Sequence, residues 1–211
     1  MNRKELSQNH WKYYLMLEKR FIDSIEFAEL HKDNFDTFSN GYALLIQVIG
    51  AELDTVFKKF CGFNTTDRKT ITDYAQHILN NTPDIKGQKI NVQEYDIEIQ
   101  PFVNWDISQP AKSLQWWEAF TDIKHDRHER LKQAKQENVL NILGALYLIE
   151  MMYLKKITDG TDKLDVFNEG SNLFTLKNWT SKAIPIDQTF AVLCDMMDNQ
   201  NRGTTNPKFD V

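Results

Sequence analysis

Hydrophobic residues recur along this chain in two rhythms, and the helical one covers most of its length. Between residues 4 and 31, Tyr14, Leu17, Phe21, Ile25 and Ala28 fall at three- and four-residue intervals, with Lys, Glu and Asp between them. That spacing predicts a helix with one buried face. The segment HKDNFDTFSN breaks the period and supplies turn residues. Ser39 or Asn40 can cap a second helix running to about Phe60, with Tyr42, Leu45, Ile46, Ile49, Leu53, Val56, Phe57 and Phe60 as its stripe. Cys61-Gly62 ends it, because glycine is free to take a left-handed conformation. A shorter helix is predicted from about Thr70 to Leu79.

From Gln88 to Asp106 the rhythm changes. KINVQEYDIEIQPF alternates Val, Ile and Tyr, which predicts one or two short strands or an extended crossover. Pro101 and Pro110 bracket its end. Two helices follow, about 113–124 and about 130–156. The second is apolar nearly all round, which marks the central helix of a bundle. Beyond Asp159-Gly160, DVFNEGSNLFTLKNW suggests a small hairpin across Glu169-Gly170. Residues 188–197 suggest a last short helix. The fold class is therefore mainly α: a helical bundle over 1–160 with a small β-containing insert at about 82–112. An irregular C-terminal extension over 161–198 is expected to pack on the bundle, and the polar stretch 199–211 reads as a disordered tail.

Composition narrows this picture. With 41% hydrophobic and 26% charged residues, the 211-residue chain reads as an ordinary globular protein with one sizeable core. The net charge of -5 provides no general attraction to nucleic acid or anionic lipid, so such binding would need a local basic patch. Two cysteines, Cys61 and Cys194, make no disulfide framework and point to a reducing, cytoplasmic setting. The start, MNRKELSQNHWK, has no apolar signal-peptide core, and the apolar run Val139–Leu154 is interrupted by Asn141 and Glu150. A protein without membrane contact is expected. No Walker loop, GxGxxG, GxSxG or Cys/His zinc spacing is present.

The basic patch is Lys124-His125-Asp126-Arg127-His128. From Lys124 to Lys135 there are five Lys/Arg (Lys124, Arg127, Arg130, Lys132, Lys135) against Asp126 and Glu129. A phosphate is the natural partner for such a cluster, particularly if it lies at a helix N-terminus. A His among cations and a carboxylate can act as acid or base near neutral pH. The structural alternative is a solvated loop between two buried helices. Glu52 borders the apolar stripe of its helix and is expected to pair with Lys124, His125 or Arg127, with Asp126 as a second supporting acid. Of the neighbours Trp116 and Trp117, one can face the core centre, and Trp116 is a candidate to stack on a base. Asp122-x-x-His125 and His125-x-x-His128 have one-turn spacing, but a second Glu-x-x-His helix is missing. Neither a metal nor a cofactor is expected.

The run WWEAFTDIKHDR, followed by a strongly apolar helix, resembles the HEPN superfamily, in particular bacterial branches with a WWxx[YF]xxxKHxR-type motif. The resemblance spans roughly residues 10–60 and 113–155. It implies a bundle of four or five helices, commonly a homodimer, and often a metal-independent ribonuclease of a toxin, phage-defence or RNA-processing system. On this resemblance His125 is the general acid/base, Lys124 and Arg127 hold the scissile phosphate, and Arg130 and Trp116 contact RNA. A cognate partner protein is implied as well. Active members place an Arg before the His with roughly four to six residues between them, whereas the positions around Ala119 and Phe120 hold none. Arg127 is the nearest substitute, and Arg3 with His10 is the one formal match to the spacing. Two functions follow: an RNA-cleaving protein, or a non-catalytic module whose cluster is structural or recognises a partner or nucleotide.

Overall fold

A computed structural model of the chain describes residues 1–64, 66–161, 163–177 and 179. The expected helix at 188–197, the tail from Asn199 and Cys194 lie outside the described residues. The first helix, α1, joins an α segment Arg3–Leu6, a π turn Ser7–Trp11 and an α segment Lys12–Ile25. Asn2 opens it with a capping box: its Oδ1 accepts from the Glu5 N–H at 3.0 Å, and Glu5 accepts from the Asn2 N–H at 3.1 Å. The extra residue of a π turn shifts the helical frame by one position. Consecutive residues His10 and Trp11 are both buried as a result. The helix stops at Ile25 rather than running to 31, because the N–H groups of Phe27 and Ala28 both converge on the Ser24 carbonyl.

Helix α2, Asn40–Cys61, is capped by Ser39, whose hydroxyl accepts from the Tyr42 N–H at 3.0 Å. It ends at Gly62, where φ is 74°, in the left-handed region open to glycine. Helix α3, Ile71–Asn81, begins with a Thr70/Asp73 capping box. The insert holds strands β1 (Ile90–Val92) and β2 (Ile97–Ile99), then an irregular stretch leads to α4, Gln115–His125. Gly50 of α2 lets α4 approach closely: a Cβ there would lie 2.3 Å from the Phe120 ring.

Helix α5, Gln136–Thr158, is the core of the bundle, with Val139, Leu140, Ile142, Leu143, Leu146, Leu148 and Ile149 all fully buried. It starts six residues later than its apolar pattern predicts. Arg130–Ala134 instead form a turn and a short 3-10 helix, and Lys135 bridges to Phe38 beside Asp36. A third strand, β3 (Phe174–Leu176), pairs antiparallel with β1, giving a sheet ordered β2-β1-β3. The hairpin expected across Glu169-Gly170 is therefore not formed. Phe174 sits opposite Val92 instead, where it is buried against Tyr147 of α5, and the Gln93 amide holds the Ser171 and Phe174 carbonyls. The molecule is mainly α with a small antiparallel sheet. Among the described residues no helix is long and apolar enough to cross a membrane.

Candidate functional site

Lys124 and His125 form the last turn of α4, and residues 126–130 turn away from it, all of them exposed. Asp126 builds this turn. Its N–H donates to the Asp122 carbonyl at 2.9 Å, its carbonyl accepts from the Arg130 N–H at 3.0 Å, and its carboxylate accepts from the Glu129 N–H at 3.2 Å. Arg127 donates to the Asn40 side chain at 2.5 Å, tying the loop to the start of α2. Lys124 lies over the Phe120 ring at 5.7 Å. No side-chain hydrogen bond or ion pair to another described residue engages His125 or Arg130. The N-terminus of the following helix is not available to this cluster, because α5 begins only at Gln136. The cluster instead follows the C-terminal end of α4, whose free carbonyls favour the cations already there.

Three expectations about neighbouring residues change. Glu52 does not reach Lys124, His125 or Arg127; its carboxylate lies 2.5 Å from Nδ1 of His10. The π turn brings His10 to α2, and nothing in the residue spacing announces such a turn. Trp116 is buried, with its indole N–H donating to the Pro101 carbonyl at 2.8 Å, so it offers no stacking face. Trp117 is buried too. The adjacent indoles diverge, Trp116 onto Phe102 of the insert and Trp117 onto Phe57 of α2, so α4 is wedged with both rings inside. Asp126, as described, serves the turn, and among the described residues its carboxylate is in no ion pair with a cation of the cluster.

The other charged centre lies inside the bundle. Glu150 of α5 is fully buried, and among the described residues neither carboxyl oxygen has a hydrogen-bond partner. Burial, and then the field of Glu52, push its carboxyl well above the ordinary range. Glu18 of α1 is equally buried but well satisfied. It accepts from Tyr14 Oη at 2.5 Å, from the Ser171 hydroxyl, and from the N–H groups of Asn172 at 2.9 Å and Leu173 at 3.3 Å. Burial and Glu18 together raise the Tyr14 phenol. Arg3 donates to the carbonyls of Leu164 and Val166 and to Asn168, so α1 straps down the segment leading into β3. Arg3 and His10 therefore serve different partners and form no joint site.

Beside the loop, a cleft of about 660 Å³ runs between α2, α4 and the start of α3, with Gln47, Asp54, Lys69, Thr70, Phe120 and Lys124 in its walls. Lys124 joins this cleft to the loop; His125 and Arg127 are not among its lining residues. Among the described residues no three His, Cys, Asp or Glu side chains converge in a way that could hold a metal ion. No protein-family model, curated protein or solved structure matches the chain.

Proposed function

We propose that the chain is a HEPN-like module that recognises RNA through its exposed cationic loop and holds it without cutting it. In the setting the resemblance implies, a bacterial defence or toxin-like system, its role is to bind. The observation behind this reading is the exposure of Lys124, Arg127 and Arg130, with no carboxylate among the described residues paired to any of them. Cations held this way can meet phosphates, which position a nucleic acid without reading its sequence. Cleavage asks more. A general base needs a partner that orients it and a pocket that seats the reacting phosphate. His125 is exposed, with no side-chain partner among the described residues, and the adjacent cleft is lined by Lys124 instead.

Fluorescence anisotropy on labelled single-stranded RNA tests this directly, with wild type against the triple variant Lys124→Glu, Arg127→Glu, Arg130→Glu. We expect binding by wild type that weakens with salt, and at least about a tenfold loss in the variant with a shallower salt dependence. An unchanged affinity in the variant would show that the loop is not the binding surface. The same RNA incubated in EDTA with wild type and His125→Ala decides the chemistry. Cleavage that disappears in His125→Ala would replace the binding role with a nuclease.

A further inference from the structure

A groove of about 550 Å³ opens between the end of α1, the turn that follows Ile25 and the start of α2. Phe27, in the turn after the helix, is 87% exposed, and Leu44 of α2 is 55% exposed. These two flank the groove, and the buried Tyr42 and Leu45 lie at its base. Three polar side chains in its walls are already engaged. The Ser24 hydroxyl donates to the Phe21 carbonyl at 2.5 Å, the Ser39 hydroxyl caps α2, and the Tyr42 phenol accepts from the Gln136 amide at 3.2 Å. Of the two charged residues in the walls, Asp23 is gripped by Lys19 at 2.8 and 3.0 Å. Arg20 is exposed and has no side-chain partner among the described residues. The groove therefore presents apolar surface with one unmatched positive charge.

We infer that this groove binds a small apolar carboxylic acid, with the carboxylate on Arg20 and the apolar body between Phe27 and Leu44. Its size and lining are those of small-ligand sites, which run from about 300 to 1,000 Å³ and join apolar walls to a few polar groups. Ser24 lies one turn beyond Arg20 on the same face of α1, so the charge stands at one end and the apolar surface runs away from it. A ligand lying there takes the exposed Phe27 and Leu44 side chains out of water together. The Arg20 guanidinium offers a carboxylate two parallel N–H donors, which an alcohol of the same shape cannot match. An ammonium ion in the same place would face Arg20 as a like charge. Charge thus selects among ligands that the apolar walls alone would accept equally.

Isothermal titration calorimetry of the full chain with octanoate, octanol and octylammonium at pH 7 tests this assignment. The expected result is one octanoate per chain with a Kd of about 0.1 mM. Octanol and octylammonium should each bind at least about tenfold more weakly. Arg20→Gln should weaken octanoate by about the same factor and leave octanol unchanged. Phe27→Ser with Leu44→Ser alters two exposed side chains, so the circular dichroism spectrum should be kept while octanoate and octanol both weaken. Failure of octanoate to bind would overturn the inference, as would binding that either variant leaves unchanged. Equal affinity for the three ligands, or several octanoates per chain, would also overturn it. Either would mark a plain apolar face of the kind a partner helix covers.

Discussion

The loop from Lys124 to Arg130 and the interior face shared by α1, α2 and α5 both hold ionisable side chains, under opposite conditions. In the loop, seven consecutive exposed residues include three cations, two histidines and two acids, and their side chains are engaged only loosely. In the interior, His10, Glu18, Glu52 and Glu150 come from distant parts of the chain; His10, Glu18 and Glu150 are buried and Glu52 is half-buried. Water surrounds and screens the first group. The second group is desolvated, so each side chain must find a partner or give up its charge. Glu18 has its partners, Glu52 has His10, and Glu150 has none among the described residues. Density of charge along a chain therefore marks a surface, whereas a strongly perturbed group arises where elements from far apart meet.

The sharpest test of the interior half is Glu18. Its carboxylate is the common acceptor of a phenol, a hydroxyl and two backbone N–H groups, and it joins α1 to the segment before β3. Removing it leaves these donors buried without an acceptor. Glu18→Ala should cost about 3–5 kcal/mol of folding stability in urea unfolding. A loss below about 1 kcal/mol would mean that the strapped segment contributes little to the fold.

Glu150 provides the opposite case. Its folded carboxyl is raised above the ordinary value of 4.5, so the folded protein holds a proton that the unfolded chain releases as pH rises. The stability linked to this group is fully present below 4.5 and is lost as pH rises toward the raised folded value. Glu150→Gln keeps the shape and cannot ionise. It should match wild type near pH 4 and exceed it by about 2–3 kcal/mol at pH 7, since each pH unit contributes up to about 1.4 kcal/mol. Stability curves that stay parallel from pH 4 to pH 8 would show that Glu150 is ionised or hydrated in the fold.

These interior residues also show where the sequence was readable. The stripes of α1, α2 and α5, the Ser39 cap, the Gly62 stop and the alternation of β1 and β2 are local signals, and the elements they mark are present, although α1 ends at Ile25 and α5 begins at Gln136. The late start of α5 went unseen because Leu131 and Ala134 continue an apolar pattern through a turn that Asp126 builds with hydrogen bonds. The pairing of β3 with β1 is a contact across the chain, which local turn residues at Glu169-Gly170 cannot reveal. For the site, exposure of Lys124, Arg127 and Arg130 follows from their density. The His10–Glu52 contact does not, since it needs a π turn. A clue was present in Glu52 at the border of an apolar stripe: a carboxylate there needs a partner, and His10 stands beside a core tryptophan.

The smallest expected effect lies in the loop and separates its two readings. Arg127 is exposed and, among the described residues, makes a single side-chain bond, to Asn40 at 2.5 Å. Such a bond contributes little to folding because water can replace either partner. Arg127→Ala should therefore change unfolding stability by no more than about 0.5 kcal/mol. Asn40→Ala removes the same bond but keeps the guanidinium, so it serves as the control for charge. If Arg127→Ala weakens RNA binding several-fold while Asn40→Ala does not, the charge is what acts and the bond to α2 is incidental. If both variants instead lose more than about 1 kcal/mol, the loop is a structural clamp between α4 and α2. Its cations would then belong with the interior carboxylates, as parts of the fold.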